Sequence, residues 1–248
     1  MIIPGPVRVR DHSWKLETSM YSTFDRWEQA TGAALRIYDP FAYRPALYER
    51  IVPVCLSETP RLAERWPVMW QRNQHGDPEL VVLRGLISGA ELPEARAQSR
   101  ISLPLLVQAF PFRYHDMAQG DEIGLDRAAP MEERDAGSYI VDDRGNLLPG
   151  AELKIRALER WGAELELRAE VTEIVFRHGL VEPVALPRDL SAKFALPEFF
   201  AVLAAPEDGL IFGALPHEHW LTVARFLAAQ RVSLYTMARL VSQAEASS

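Results

Sequence analysis

His75-Gly76-Asp77 is an H-x-D pair, and a later His178, His217 or His219 would complete two imidazoles and one carboxylate. That ligand set binds Fe(II) while leaving positions open for dioxygen and a co-substrate, so His75, Asp77 and His217 define a 2-oxoglutarate-type oxygenase reading. The spacing is permissive, because any chain with 6 His offers such triplets. His75 also lies within Asn73-Gln74-His75-Gly76-Asp77-Pro78, where His and Asp suit a turn for conformational reasons. His217-Glu218-His219 looks metal-like, but positions i and i+2 of a helix point about 200° apart. His115-Asp116 follows a strand, where adjacent side chains face opposite ways. The sequence holds no G-x-S-x-G, G-x-G-x-x-G or G-x-x-x-x-G-K-[ST]. Cys55, the single cysteine, sits in an apolar run where a buried, inert thiol is expected. The paired acids Glu132-Glu133 and Asp142-Asp143 lie in a polar stretch with nothing to raise their pKa. On a strand, Trp66, Val68 and Trp70 share one face; the two indoles make either an aromatic ligand platform or core packing.

The elements that must hold these groups read as α+β. Residues 1–48 form an arm in which aromatics (Trp14, Tyr21, Phe24, Trp27, Tyr38, Phe41, Tyr43) alternate with turn residues. Ser22 or Thr23 through Thr31 predicts a short helix, and Asp39-Pro40 and Arg44-Pro45 predict extended or turn geometry. Residues 49–248 then make one domain, which begins with a mostly antiparallel β-sheet region. Ile51–Leu56, Trp66–Trp70 and Leu80–Ile87 are β-branched or aromatic runs of strand length, and Asn73–Pro78 is a hairpin loop. Pro53 and Pro67 favour a sheet edge or a strand start. Ile101–Tyr114 is a fourth run broken by Pro104 and Pro111, and Ser138–Val141 is a short strand entering a turn. After Pro149 the period becomes helical to His178, with Gly162 costing about 1 kcal/mol in the middle. Residues 195–204 and 216–244 read as further helices, with Trp220, Val223, Ala224 and Leu227 as one apolar stripe. Strands first and helices later, without βαβ alternation, is the α+β pattern.

Composition narrows the partners. The 248 residues are 48% hydrophobic and 25% charged, with mean hydropathy −0.10 and no apolar run long enough to span a membrane. Met1–Arg8 has no basic region followed by an apolar one, which predicts no Sec-type signal and a cytoplasmic location; a cell-surface role would need signal-less export. Net charge is −7, and Asp116–Asp143 carries nine acids against Arg127 and Arg134. That stretch repels phosphate backbones, so nucleic acid is not expected as a partner, whereas a basic protein partner would suit it.

The ordered blocks resemble the SapC family, a bacterial group named from an S-layer gene cluster. A "P-x-x-x-x-E" segment is matched by Pro53-Val54-Cys55-Leu56-Ser57-Glu58, and "Y/W-P-[IV]" by Trp66-Pro67-Val68. Leu83-Arg84-Gly85-Leu86 follows, then a Pro-led run ending in Phe110-Pro111-Phe112, where Ala109 and Phe110 replace the Arg-Tyr of the family's "R-Y-P-F". Ile123-Gly124-Leu125-Asp126, Tyr139–Gly145, Gly179-Leu180-Val181-Glu182-Pro183 and Arg231–Leu234 complete the series over roughly residues 50–245. The resemblance carries no catalytic residue set or cofactor. It implies a non-catalytic accessory or binding protein of cell-envelope, nutrient-uptake or peptide-modification systems, with a protein or peptide partner. Trp66, Trp70, Pro111, Phe112 and Arg113 are the expected recognition surface, provided they are exposed. The rival readings are the Fe(II) oxygenase and an S-layer structural component; the oligomeric state stays open.

Overall fold

The computed structural model describes residues 20–21, 23–26, 36–73, 75–87, 92, 103–117, 119–120, 122–127, 137–186, 188–203 and 208–246. The main sheet is antiparallel and five-stranded, in the order β3-β5-β4-β10-β9. Its strands are β3 (Ile51–Pro53), β4 (Val68–Arg72), β5 (Pro78–Leu83), β9 (Glu182–Pro183) and β10 (Phe199–Ala201). Leu80, Val81, Val82 and Leu83 are successive along β5 and all buried, so both faces of the sheet are covered. Pro53 lies on an edge strand and Pro67 just before β4, where a missing N–H costs no ladder bond. The β4–β5 loop is the expected hairpin turn: the Asn73 Oδ1 accepts from the His75 and Asp77 N–H groups at 2.9 and 3.0 Å.

A second sheet joins β1 (Asp25–Arg26), β7 (Ile123–Leu125) and β6 (Phe112–Tyr114), and β2 (Arg36–Ile37) pairs with β8 (Ser138–Tyr139). Asp25–Arg26 is therefore strand where a helix was expected; the remainder of that helix, Trp27–Thr31, lies outside the described residues, as do Trp14 and Glu132–Asp135. Gly124 in β7 faces β1 so closely that a Cβ there would overlap the Phe24 ring and the Asp25 carbonyl. Both expected proline turns instead open short helices, a 3-10 turn at Pro40–Ala42 and α1 (Arg44–Tyr48). Pro at the first turn of a helix loses nothing, because that N–H has no intrahelical acceptor. Tyr43 and Ala46 from this segment are buried in the same core as the main sheet.

Helices fill the rest: α2 (Thr59–Leu62), α3 (Leu105–Ala109), α4 (Pro149–Gly162), α5 (Leu165–Arg177), α6 (Arg188–Phe194), α7 (Asp208–Ala214), α8 (Trp220–Ser233) and α9 (Thr236–Ala246). The architecture is α+β, with the helical mass in the second half. Three expectations change. The run from Ile101 is not one strand: Pro104 caps the helix Leu105–Ala109 and only Phe112–Tyr114 is extended. Residues 195–204 are not a helix, because Phe199–Ala201 add to β4, with Phe200 opposite Trp70. Aromatic side chains suit a sheet packed on both faces, and here tertiary packing overrides the helical pattern. The third change is that the long helix after Pro149 is two helices, broken at Ala163–Glu164. Tyr114 explains the break: a Cβ on Gly162 would overlap its hydroxyl and stand 2.8 Å from its Cε2. The buried stripe of α8 is Val223, Phe226, Leu227, Gln230 and Ser233, while Trp220 and Ala224 face solvent.

Gly162→Ala is thus expected to destabilise the protein by about 1–3 kcal/mol, although alanine is the better helix former. Urea unfolding checks the sign, and pairing it with Tyr114→Phe should recover part of the loss.

Candidate functional site

The residues proposed for recognition are the first to place. Trp66 and Trp70 are 3% and 0% exposed, and Phe112 is 0% exposed. The Trp70 ring packs edge-on to Phe176 and Phe226, and its Nε1 donates to Thr172 Oγ1 at 3.1 Å. Pro111 is buried. Arg113 is half-buried, stacked 5.0 Å from the Tyr21 ring, with Nη1 donating to the Thr23 carbonyl. Trp66, Trp70, Pro111 and Phe112 therefore belong to the core and offer no platform to a ligand. An indole with its N–H satisfied and both faces packed has nothing left to present.

The ligand triplet is not brought together either. His75 and Asp77 stand on the β4–β5 turn, while His217 begins the 3-10 turn before α8 and stacks 4.3 Å from the Trp220 ring. Among the described residues no three His, Cys, Asp or Glu side chains are placed to hold one ion. His178 and Glu218 are exposed, and His115 packs 4.8 Å from the Phe24 ring.

What the fold does bring together is a buried polar cluster where β3, β5, α3 and α5 meet. Glu58, the acid that ends the P-x-x-x-x-E segment, is 3% exposed. Its Oε1 accepts from the Cys55 N–H at 3.0 Å, and its Oε2 accepts from the Leu105 N–H at 2.8 Å and from Arg61 Nη2 at 3.3 Å. Burial pushes this carboxyl above the ordinary range, and those three donors pull the other way. Burial also pushes up the Cys55 thiol, helped by Glu58 and Glu164, so it is an unreactive sulfhydryl.

Arg168 on α5 is buried, lies 4.4 Å from the Trp161 ring and donates from Nη1 to the Val54 carbonyl at 3.4 Å. Burial lowers its pKa, and Glu79 is the largest opposing influence. Glu79, directly across the hairpin from Gln71, accepts from Gln71 Nε2 at 3.4 Å through Oε2. Its Oε1 and the Trp161 Nε1 are shielded from solvent with no hydrogen-bond partner among the described residues. Burial raises the Glu79 carboxyl to about 7, against the pull of Arg168. Two further buried cations clamp backbone. Arg84 donates to the carbonyls of Pro45, Ala46 and Glu49 at the end of α1, and Lys154 Nζ donates to the Phe110 carbonyl at 2.5 Å.

Sequence reasoning did not single out Glu58, Glu79, Arg84 or Arg168. A signal existed for two: Arg84 is a lone charge inside an apolar run, and Glu58 closes a motif. Arg168 lies in the helical run and turns inward; helical period alone does not tell which arc faces the core.

Groups standing in solvent are different in kind. At the α7–α8 corner the Phe212 and Trp220 rings lie 5.9 Å apart, and Trp220 Nε1 donates to the Leu215 carbonyl at 3.1 Å. Leu210 and Trp220 are 55% and 38% exposed there. No helix among the described residues is long and apolar enough to cross a membrane.

Two outcomes follow. Glu58→Ala strands the Cys55 and Leu105 N–H groups and is expected to cost several kcal/mol in denaturant unfolding, with Glu58→Gln milder. Glu79 binds its proton more tightly folded, near 7, than unfolded, near 4.5, so its stabilising contribution is full below 4.5 and is lost as pH rises to about 7. The slope is at most about 1.4 kcal/mol per pH unit, less for a side chain partly in contact with water. Unfolding free energies from pH 4.5 to 8 should show that decline in the native chain and a flatter profile in Glu79→Gln.

A family model described as SapC matches residues 30–206, well over half of the chain. No curated protein and no solved structure matches it. The match takes in the Glu58 cluster, β3 to β10 and the Phe110–Phe112 segment, and it ends before α7. This chain belongs to the SapC family.

Proposed function

We propose that this chain is a non-catalytic accessory or binding protein of a bacterial cell-envelope, nutrient-uptake or peptide-modification system, and that it works by holding a protein or peptide partner. The observation that carries the reading is the division of labour among side chains. Glu58, Arg84 and Arg168 are buried and engaged with backbone, and Cys55 is buried beside Glu58, whereas an oriented aromatic corner reaches solvent. Leu210, Phe212, His217 and Trp220 make that corner, and the indole is held by its bond to Leu215. Rigid aromatic side chains beside aliphatic ones lose little entropy on binding and dominate protein–protein interfaces. The envelope or uptake setting rests on the family resemblance, while the chemistry of the corner supports a partner with apolar side chains.

A photo-crosslinking residue placed at Trp220, with the exposed Glu170 of α5 as control, tests this in cells of the native host. The expected result is a discrete adduct with a different polypeptide from position 220 and none from position 170. No adduct from 220, or the same adducts from both, overturns the reading.

A further inference from the structure

The arm is held against β6 and β7 in an unusual way. Its ladder with β7 is confined to two residue pairs, Asp25 with Leu125 and Arg26 with Gly124. Two residues earlier, side chains take over from the ladder. The Thr23 N–H donates to Asp126 Oδ2 at 2.9 Å, and the Thr23 carbonyl accepts from Arg113 Nη1 at 3.3 Å. Asp126 is 1% exposed, and its own N–H is fixed to the Pro111 carbonyl at 2.8 Å. One acid and one base thus read both backbone groups of a single residue that is itself exposed. Aromatic seats lie on either side of it. Tyr21 is buried, stacks 5.4 Å from Phe110 and donates its hydroxyl to the Phe112 carbonyl at 3.2 Å. Arg113 lies over the Tyr21 and Phe24 rings at 5.0 and 5.9 Å, and Gly124 leaves the space that Phe24 and Asp25 take. At the rim Asp25 pairs with Arg127, and Arg26 with Glu122.

Strands that belong to one sheet satisfy each other through the ladder, whereas side chains that bracket a strand's backbone, with pockets for alternate rings, are the chemistry of a peptide receptor. The receiving residues, from Phe110 to Arg113 and from Gly124 to Arg127, lie within the family match at 30–206, and the segment they hold precedes it. We propose that this edge of β7 is a binding site for an extended peptide of another protein, and that the arm occupies it in cis as a competitor. The site sets the pattern it takes: an aromatic residue three positions before a phenylalanine–acid pair, as in Tyr21, Phe24 and Asp25. Asp126 and Arg113 read only backbone at the Thr23 position, so any residue with an N–H serves there. The outer pairs are weak holds, because Arg26 and Arg127 are each more than 60% exposed. A foreign peptide is favoured over the arm of a second copy. Exchange between copies remakes the same contacts and loses association entropy, so it gains nothing. The inference goes beyond the proposed function and uses none of the residues of the aromatic corner, so either can fail alone.

A dye-labelled peptide of residues 18–28, titrated into the full chain and followed by fluorescence anisotropy, tests it. One substitution must act in opposite directions on the two sides. Thr23→Pro in the chain removes the N–H that Asp126 takes, releases the competitor and is expected to tighten peptide binding roughly tenfold or more. Thr23→Pro in the peptide removes the same bond in trans and should weaken binding by a similar factor, the scale of a hydrogen bond to a charged acceptor. In the released chain, Arg127→Glu at an exposed position should weaken the native peptide severalfold, and a peptide carrying Asp25→Arg should recover the loss. If Thr23→Pro disturbs the circular dichroism, Asp25→Arg in the chain releases the arm instead, and the comparison of native and proline peptides stands. A released chain that binds no peptide overturns the inference, as does equal affinity for the native and proline peptides. So does a released chain that self-associates through exchanged arms and leaves the peptide unbound.

Discussion

A carboxylate out of contact with water needs donors around it, and in this protein that requirement organises half of the chain. Glu58 takes the Cys55 N–H from the loop after β3 and the Leu105 N–H from the first residue of α3. Two segments more than forty residues apart in sequence are thus fixed to one pair of oxygens. From α3 the constraints run on. The next turn presents the Phe110 carbonyl to Lys154, which seats α4, and Tyr114 presses on Gly162 at the end of α4. The break there turns the chain into α5, whose Arg168 reaches back to the carbonyl of Val54, next to Cys55 where the circuit began. The loop of contacts closes on itself, so an error at one point is felt at the others.

The buried cations share a single task. Arg84 gathers carbonyls at the end of α1, Lys154 takes that of Phe110 and Arg168 that of Val54. Each donates to a backbone carbonyl and has an aromatic ring within 6 Å: Trp66, Tyr43 and Trp161 respectively. A positive charge over a ring face recovers part of what burial removes. Such clamps add less to net stability than to uniqueness, because a core built on them has few alternative packings that leave every charge satisfied. Among the described residues, Glu79 Oε1, Trp161 Nε1 and Gln230 Oε1 are where satisfaction is incomplete, and the first two belong to side chains that interact with Arg168.

Much of the sheet was legible. The β-branched runs around Val52, Val68 and Val82, the hairpin at Asn73–Pro78 and the edge position of Pro53 follow from local chemistry, and the helical second half from its period. The misplaced elements share a cause. Leu105–Ala109 and Phe199–Ala201 are each short enough that propensity is outweighed by the neighbour that receives them, Glu58 in one case and β4 in the other. The expected site was misjudged for a related reason. Trp66, Trp70 and Phe112 have the composition of a recognition surface, and composition does not distinguish a surface aromatic from a core one. Trp220, which reaches solvent, lies past the end of the family match, and the sequence groups it with Val223, Ala224 and Leu227 in one apolar stripe.

The two outermost strands of the main sheet, β3 and β9, each contain a proline, Pro53 and Pro183. A pyrrolidine nitrogen cannot donate to a strand laid alongside it, and β9 offers only two residues in any case. Among the described residues, then, neither border of the sheet is a template that an extended segment from elsewhere could lengthen. Recognition by adding a strand to this sheet, which reads backbone and tolerates many sequences, is disfavoured at both of its borders. At those two borders a partner would be read through side chains, a narrower but more discriminating language.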